Sequence, residues 1–441
     1  MREGGLNCSP IPAPAWILCA LGFFLIYFSH RRAWGAGSYA PPPALPAEPA
    51  CLLPSASRDQ FTAASLQARG VRLVVDERGA LRFPHSLVDP ACPRYVTALQ
   101  DQSAGIGHRS REWATSLWLA LAFNLTLVHH PVDFSLPGAR HEHEGYQGWD
   151  AFLGLAFGES PEHFLGDLDV VGVGTAKQLL PSIGSWGAPT AQVHALWAPH
   201  LTAPACNVMF VTPGDEVPRD VSALVRPFMT WKFAAAAAER ARAGVHLPLR
   251  YSPSAVNVAV HYRVGDIEPT PESALWAEAR LALESLRAEG VEGALHVHVH
   301  TDGPVPLAHF GLLPLLEEGE AEGSSGVQVQ HHPDMSANET MWHFVNADVF
   351  VGSRSGFSWL AGLLSPRSLA MLQRGGKWHE TCADAGTAVC CSDSGACEEG
   401  SDALLQRAAQ RIAAAQGCGG LGPRTAALHE PWPLEPPHAA R

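Results

Sequence analysis

Residues 258–266 read VAVHYRVGD, and this stretch decides how the rest of the chain is interpreted. An apolar run leads into His261, Arg263 and Asp266, which predicts a buried strand with polar side chains at its carboxyl end. Ligands of open α/β sheets bind outside that end of the strands. An arginine there offers a rigid fork of donors that suits a diphosphate and can stabilise a negative leaving group. We therefore predict Arg263 as a catalytic residue, the alternative being that Arg263 pairs with Asp266 merely to close a turn.

Short apolar runs alternate with helical patterns on both sides of this strand. Such alternation predicts parallel strands joined by crossover helices, and hence an α/β fold. We expect two Rossmann-like domains that face a cleft, an arrangement also used by one large class of sugar-nucleotide transferases. The predicted strands are 95–99, 125–128, 256–261, 295–300, 327–330, 349–351 and 369–372, and the predicted helices are 109–123, 229–243, 274–289, 337–346 and 357–364.

Composition excludes two broad classes of protein. The chain has 441 residues, of which 46% are hydrophobic, so it is not a disordered polymer. Its formal net charge is −13, whereas affinity for nucleic acid comes from positive charge. We therefore expect a folded protein that has no nucleic-acid partner.

The N-terminal segment 13–28, APAWILCALGFFLIYF, carries no charge. At about 1.5 Å per residue it spans about 24 Å, which suits the thinner membranes of the early secretory pathway. We predict a single-pass anchor in the Golgi or ER membrane with the folded body in the lumen, although Arg31 and Arg32 favour the opposite orientation. A signal peptide cleaved near residues 35–37 is the alternative.

Eight of the ten cysteines follow this segment, an even number that suits disulfide bonds in an oxidising lumen. Their pairing cannot be read from the sequence. Cys382, Cys390, Cys391 and Cys397 form a cluster, but they lack the paired C-x-x-C spacing of structural zinc. We therefore favour disulfides over a metal site.

Two turns have the composition of anion-binding loops. The first, residues 105–109, reads GIGHR before a predicted helix, where glycines permit close backbone approach and a helix N-terminus attracts an anion. A plain tight turn is the alternative. The second, residues 353–358, reads SRSGFS, and its hydroxyl and amide groups predict a nest for a diphosphate. Each serine taken alone is better explained as an N-cap.

These motifs resemble, in the same order and over about residues 100–375, those of the fucosyltransferase superfamily. Its α1,2, α1,6 and protein O-fucosyl members carry a strand that ends in His-x-Arg-(Arg)-x-Asp, a Gly-x-Gly-Asn-Arg loop and a strand that ends in Thr/Ser-Asp-Asp. The resemblance implies that Arg263 contacts the β-phosphate of GDP-fucose and that His261 is a second catalytic residue. The donor-binding residues that it implies are Gly105, Gly107, His108, Arg109, Asp266, Asp302, Ser353, Arg354, Ser355, Gly356 and Ser358.

Three positions depart from the family pattern. Val264 stands where many members have a second arginine, His108 replaces the asparagine of the loop, and Gly303 replaces the second acidic residue after Asp302. Arg354 is a candidate substitute for the missing arginine. Val264 and Gly303 also support an alternative, in which the cleft has decayed and the chain is a non-catalytic glycan-binding or scaffold protein.

Histidines 296, 298 and 300 alternate along one strand and therefore face one side. A packed strand explains them better than zinc does, because no fourth ligand at motif spacing accompanies them. Residues 167–169, DLD, match a metal-binding DxD triplet by letters, and we interpret them as a loop. We expect no metal and no other cofactor.

The general base is not identified by any motif. Candidates are the segment 141–144 (HEHE), Asp150 and Glu159, for which a solvated loop is the alternative. Two N-glycan acceptor patterns begin at Asn124 and Asn338. Because Asn124 falls at a helix–strand junction where burial is expected, Asn338 is the candidate for modification.

The sequence thus predicts an inverting glycosyltransferase that moves a sugar, fucose from GDP-fucose, to a hydroxyl of a glycan or glycoprotein. Other nucleotide sugars are alternative donors. We divide the chain into a cytosolic tail (1–12), a transmembrane anchor (13–28), a Pro- and Ala-rich stem (29–60), an N-terminal acceptor domain (61–248), a C-terminal nucleotide-sugar domain (249–415) and a disordered tail (416–441).

Overall fold

The structure is a computed structural model, in which the chain divides into two units, Met1–Pro46 and Ala47–Arg441. All residues described below belong to the second unit. They are residues 74–75, 81–82, 91–98, 105–129, 148–155, 169–172, 190–201, 206–212, 221–252, 255–263, 272–291, 294–301, 327–333, 335–365, 369–373, 388–391, 405–406, 409–410 and 412.

Two parallel sheets organise this part of the chain. The strands are β1 (Val74–Val75), β2 (Leu81–Arg82), β3 (Arg94–Ala98), β4 (Thr126–Leu127), β5 (Asp169–Gly172), β6 (Val208–Thr212), β7 (Val256–Tyr262), β8 (Leu295–Thr301), β9 (Val327–His332), β10 (Val349–Gly352), β11 (Leu369–Gln373) and β12 (Ala388–Cys391). The smaller sheet has the order β4-β3-β6-β5, the larger sheet has the order β12-β11-β10-β7-β8-β9, and β1 pairs with β2 alone. Within both larger assemblies every pairing is parallel.

Helices connect successive strands. They are α1 (Ile106–Phe123), α2 (Trp149–Leu153), α3 (Thr190–Leu201), α4 (Val221–Arg242), α5 (Glu272–Ala288), α6 (Ala337–Asn346) and α7 (Gly356–Leu364). Ser336 starts α6 with a capping box, in which its hydroxyl accepts from the Glu339 amide and the Glu339 side chain accepts from the Ser336 amide. The Ser-x-x-Glu pattern at residues 336–339 thus forms the capping box that such a pattern predicts.

The central strands of the larger sheet are buried on both faces, as their continuous apolar runs require. On one face, Val258 and Val260 of β7 pack with α5. On the other face, Ala259 of β7 and Phe350 of β10 belong to a core cluster that also contains residues of α1 and of the smaller sheet. Residues from both sheets thus share one apolar core.

The predicted parallel α/β fold is confirmed, and helix α6 coincides with its predicted range. Helix α1 begins at Ile106, three residues before the predicted start. Asn124, which we expected to be buried, is instead exposed, and it ends α1 in the left-handed conformation with φ 53°. Asn338 is half-buried in the first turn of α6.

Several predictions concern residues outside the described ranges. They include the anchor at 13–28, the stem at 29–60 and both tails, as well as Val264, Asp266, Asp302 and Gly303. Among the residues that the structure describes, no helix is both long enough and apolar enough to span a bilayer.

Candidate functional site

The site forms where two neighbouring strands of the larger sheet end. β7 and β10 are paired in parallel, so their carboxyl ends lie side by side. β7 ends at Tyr262 and is followed by Arg263, while β10 ends at Gly352 and is followed by the serine-rich turn that starts α7. The two motifs that the sequence places 90 residues apart, around 263 and 353, therefore meet at one sheet edge.

His261 joins the two motifs through hydrogen bonds. Its Nδ1 lies 2.7 Å from the Ser358 hydroxyl and 3.2 Å from the Ser353 hydroxyl. The residue is 4% exposed, and burial together with the nearby charge of Arg263 lowers the pKa of His261 to about 3. A neutral imidazole thus links the end of β7 to α7 through its hydrogen bond with Ser358. The hydroxyls of Ser353 and Ser358 are correspondingly directed towards this ring.

Arg263 reaches the N-terminus of α7. Its Nη1 group donates to the Ser355 hydroxyl at 3.3 Å. The same hydroxyl caps the helix, since it accepts from the amides of Phe357 at 3.1 Å and Ser358 at 3.5 Å. Ser355 is therefore an N-cap, as the alternative interpretation of the serines proposed, and it also holds the half-buried guanidinium at the helix end.

The glycine turn meets the same helix end. A Cβ atom on Gly107 would lie 2.1 Å from the carbonyl carbon of Gly356 and 2.4 Å from the amide nitrogen of Phe357. No side chain fits there, so the first turns of α1 and α7 touch through their backbones. A helix N-terminus carries partial positive charge. The N-termini of α1 and α7 and the Arg263 guanidinium therefore place positive charge in one region.

Other predicted donor residues lie around this contact. Arg354 is half-buried in the turn between Ser353 and Ser355. Arg109 has no exposed surface, so its guanidinium belongs to the interior of the protein. His108, one residue before it, is 27% exposed, and its Nε2 lies 3.4 Å from Glu112 Oε1. Sequence reasoning missed Glu112, although its i, i+4 spacing from His108 was a usable signal.

One of the candidate bases has a defined partner. Asp150 of α2 lies with its Oδ1 3.2 Å from His129 Nε2, at the end of the segment that follows β4. The neighbouring residue, Trp149, packs edge-to-face against Phe357 of α7, with ring centroids 6.2 Å apart. The segment 141–144 and Glu159 lie outside the described residues.

The alternating histidines of β8 lie in a buried layer of imidazoles. His298 Nδ1 lies 3.0 Å from His332 Nε2, and the rings of His300 and His332 stack at 4.7 Å. Burial is the main cause that lowers the pKa of His298 to about 3 and that of His332 to about 4. Among the described residues no group of three or more His, Cys, Asp or Glu side chains is placed to hold a metal ion.

No family model and no curated protein sequence matches the chain. Solved structures resemble it. A mutant of FUT1 from Arabidopsis thaliana in complex with GDP is 13% identical, with 66% of this chain and 73% of that chain covered and a TM-score of 0.34. POFUT1 in complex with GDP-fucose is 14% identical, with 65% of this chain and 99% of that chain covered and a TM-score of 0.36.

Proposed function

We propose that this chain is an inverting glycosyltransferase that transfers fucose from GDP-fucose to a hydroxyl of a glycan or glycoprotein. One observation carries the proposal: Arg263 is held on the N-cap of α7, at the point where α1 touches that helix through Gly107. Two helix N-termini and one permanently charged guanidinium form a region suited to a diphosphate. The site lies at the carboxyl edge of a parallel sheet, where α/β proteins bind ligands.

The chemistry follows from what the leaving group needs. When the bond between sugar and phosphate breaks, negative charge develops on the departing diphosphate. A fixed guanidinium and backbone amides that already point to that position stabilise the charge without reorganising. In this proposal Arg263 supplies the charge stabilisation, so the reaction requires no metal ion.

The domain arrangement belongs to the same proposal. We assign the acceptor to residues 61–248, which contain the smaller sheet, and the nucleotide sugar to residues 249–415, which contain the larger sheet. Two Rossmann-like domains would then face one cleft, with Arg263 at its base. The motifs at 105–109 and 353–358 lie one on each side of that division.

A diphosphate site does not by itself select the sugar, so the donor is tested directly. The protein is incubated with GDP-fucose, with other GDP-hexoses and with UDP-hexoses, together with a mixture of glycoprotein acceptors, with and without EDTA. We expect transfer from GDP-fucose that EDTA leaves unchanged. Preference for another donor would correct the sugar, and strict dependence on Mn²⁺ would contradict the metal-free mechanism.

Replacing Arg263 tests the central residue. We expect Arg263→Ala to lower kcat by about 10²–10³-fold, the range observed when one charge-stabilising donor is removed from an active site. Arg263→Lys should recover only part of the activity, because an ammonium is a point charge without the planar fork. Thermal unfolding verifies that each variant is folded.

Arg242→Ala is the matched control, since Arg242 is an exposed arginine that pairs with Glu239 at 2.6 Å on α4. It should leave transfer unchanged. If Arg263→Ala transfers sugar as well as the unmutated protein does, the proposed function is wrong. If the unmutated protein transfers none of the sugars, the non-catalytic alternative is supported instead.

We further propose that the folded body lies in the lumen of the Golgi or ER and is anchored by residues 13–28. The disulfide between Cys92 and Cys206 supports this proposal, because such bonds persist in oxidising compartments. In isolated microsomes a C-terminal tag should resist protease until detergent is added, and the protein should stay in the membrane pellet after carbonate extraction.

A further inference from the structure

His108 and Glu112 form a pair with the layout of a histidine–carboxylate dyad. The two residues are four apart on α1, and His108 Nε2 lies 3.4 Å from Glu112 Oε1. The imidazole is 27% exposed, whereas the carboxylate is 2% exposed. A buried acceptor behind an accessible imidazole fixes the ring tautomer, because Nε2 carries the proton that faces the carboxylate. Proton acceptance then falls to Nδ1.

The pair is placed beside the proposed diphosphate site. His108 follows Gly107, the residue whose backbone touches the first turn of α7. Side chains on a helix lean towards its N-terminus, so the imidazole leans towards the end of α1 where the two helices meet. Arg263 is bound to the N-cap of the opposing helix. His108 and Arg263 are thus each tied to one of the two helix ends that meet at this contact, His108 by sequence and Arg263 by a hydrogen bond.

On this basis, and resting on the proposed function, we propose that His108 is the general base of the transfer and that Glu112 is its positioning residue. The acceptor hydroxyl loses its proton to Nδ1 of His108 as its oxygen bonds to the anomeric carbon of the sugar. The bond between that carbon and the diphosphate oxygen breaks, and its electron pair leaves with the diphosphate. Glu112 stabilises the imidazolium that forms.

A second histidine–carboxylate pair in the described part of the chain provides a comparison. In the pair of His129 and Asp150 the exposure is reversed, with 7% for the imidazole and 27% for the carboxylate. The accessible member there is the carboxylate, which by type is a weaker base at neutral pH than an imidazole. This pair therefore serves as an internal control rather than as the first candidate.

The test uses the full-length protein with GDP-fucose and a mixture of glycoprotein acceptors. His108→Asn is the informative variant, because an amide retains hydrogen bonding to a donor but cannot take up the proton. We expect kcat to fall by about 10²–10⁴-fold, while the Kd for GDP, measured by calorimetry, stays within about threefold. Glu112→Gln should lower kcat less, and both variants should lose the fall in kcat on the acid side of the pH profile or displace it.

Three results would overturn the dyad. His108→Asn with unchanged kcat would remove the base, and loss of GDP binding in that variant would make His108 a donor-binding residue instead. Loss of transfer in Asp150→Asn with retention in His108→Asn would assign the base to the other pair. If the unmutated protein transfers no sugar, the proposed function fails together with the dyad. If the unmutated protein is active and one of the three results above is found, the dyad alone fails, so the two failures are distinguishable. Thermal unfolding of each variant verifies the fold.

Discussion

Ser355 is the residue on which two parts of the site depend. Its single hydroxyl oxygen accepts from two amides of α7 and from the Arg263 guanidinium. An N-cap normally contributes to helix stability alone. Here the same oxygen also orients the proposed diphosphate-binding side chain, so its loss should affect stability and binding together.

We therefore expect Ser355→Ala to lower the free energy of unfolding by about 1 kcal/mol, the usual contribution of an N-cap. The Kd for GDP should rise about fivefold, which corresponds to about 1 kcal/mol of lost orientation of Arg263. Urea denaturation and calorimetry measure the two effects. Ser336→Ala is the control, because Ser336 caps α6 and its hydroxyl bonds to Glu339, a residue of the same helix. The control should lose stability alone, and equal GDP affinity in both variants would contradict the role of Ser355.

Sequence reasoning identified the residues of this site better than their partners. Arg263 and Ser355 were each predicted to bind the diphosphate, and the structure joins them because the carboxyl ends of parallel strands share an edge. That Ser353 and Ser358 face His261 rather than an open nest could not be predicted, since rotamers in a buried turn follow the local packing. Glu112 has the i, i+4 spacing from His108 that marks neighbours on a helix, but its burial depends on helix packing that no single motif encodes.

At the scale of elements, the contact between α1 and α7 holds the site together. Gly107 permits an approach that excludes even a methyl group, since the opposing atoms belong to the backbone of Gly356 and Phe357. Backbone atoms cannot move aside as the end of a flexible side chain can. Arg111 of α1 also lies over the Trp359 ring of α7, 5.4 Å from its centroid, so the two helices pack along more than one turn.

Gly107→Ala should consequently separate the two helix ends. We expect a loss of about 1–3 kcal/mol in the free energy of unfolding from overpacking, together with loss of GDP binding. Urea denaturation and calorimetry provide the measurements. Gly244→Ala is the matched control, because a Cβ there meets nothing within 4 Å although φ is +72°. That variant should lose a similar amount of stability through backbone strain and still bind GDP. A Gly107→Ala protein that binds GDP normally would show that the close contact is not needed.

Most elements of the larger sheet were predictable from the sequence, because their strands are short apolar runs between helical patterns. The helix α4 was predicted to start at 229, and it starts at Val221. Its sequence contains Pro227, which ordinarily ends a helix. Burial of Val225 and Phe228 in the shared core accompanies the longer helix, so tertiary packing outweighs the local signal. Strands β5 and β6 were not predicted, although β6 begins with four apolar residues.

At the scale of the whole molecule, a disulfide joins two neighbouring strands of the smaller sheet that are far apart in sequence. Cys92 precedes β3 and Cys206 precedes β6, and these strands are paired in parallel. The two cysteines are 114 residues apart. Closing a loop of about 100 residues removes enough entropy from the unfolded chain to contribute about 4.7 kcal/mol in the loop-entropy model. The prediction that cysteines of this chain form disulfides is thus confirmed for Cys92 and Cys206. The sequence alone could not determine which cysteines pair.

A buried imidazole layer lies between the larger sheet, which contributes His261, His298, His300 and His332, and helix α6, which contributes His343. Both ring nitrogens of His300 are enclosed and have no hydrogen-bond partner among the described residues. Burial is the main cause that lowers the pKa of every member, with repulsion among the rings as a further cause for His298, His300 and His332. Other groups around the layer are Arg250, Tyr251, His296, His331 and Glu339. Since His343 Nε2 accepts from the Arg250 amide at 3.0 Å, protonation of that nitrogen would also break a hydrogen bond.

This layer should make the protein sensitive to mild acid. The folded-state pKa values lie near 3 for His261 and His298 and near 4 for His332, below the ordinary 6.5 of an unfolded chain. Below pH 6.5 the unfolded state therefore binds more protons, so stability is fully present above that pH and is lost as the pH falls towards 4. Three such groups give a slope of up to about 4 kcal/mol per pH unit. Urea midpoints at pH 7.5, 6.5, 5.5 and 5.0 measure the slope, and His300→Phe should make it shallower because it removes one buried base. His246→Asn, at an exposed position, should leave the slope unchanged. A flat dependence of the midpoints between pH 6.5 and 5.0 would show that the imidazoles accept protons without unfolding the sheet.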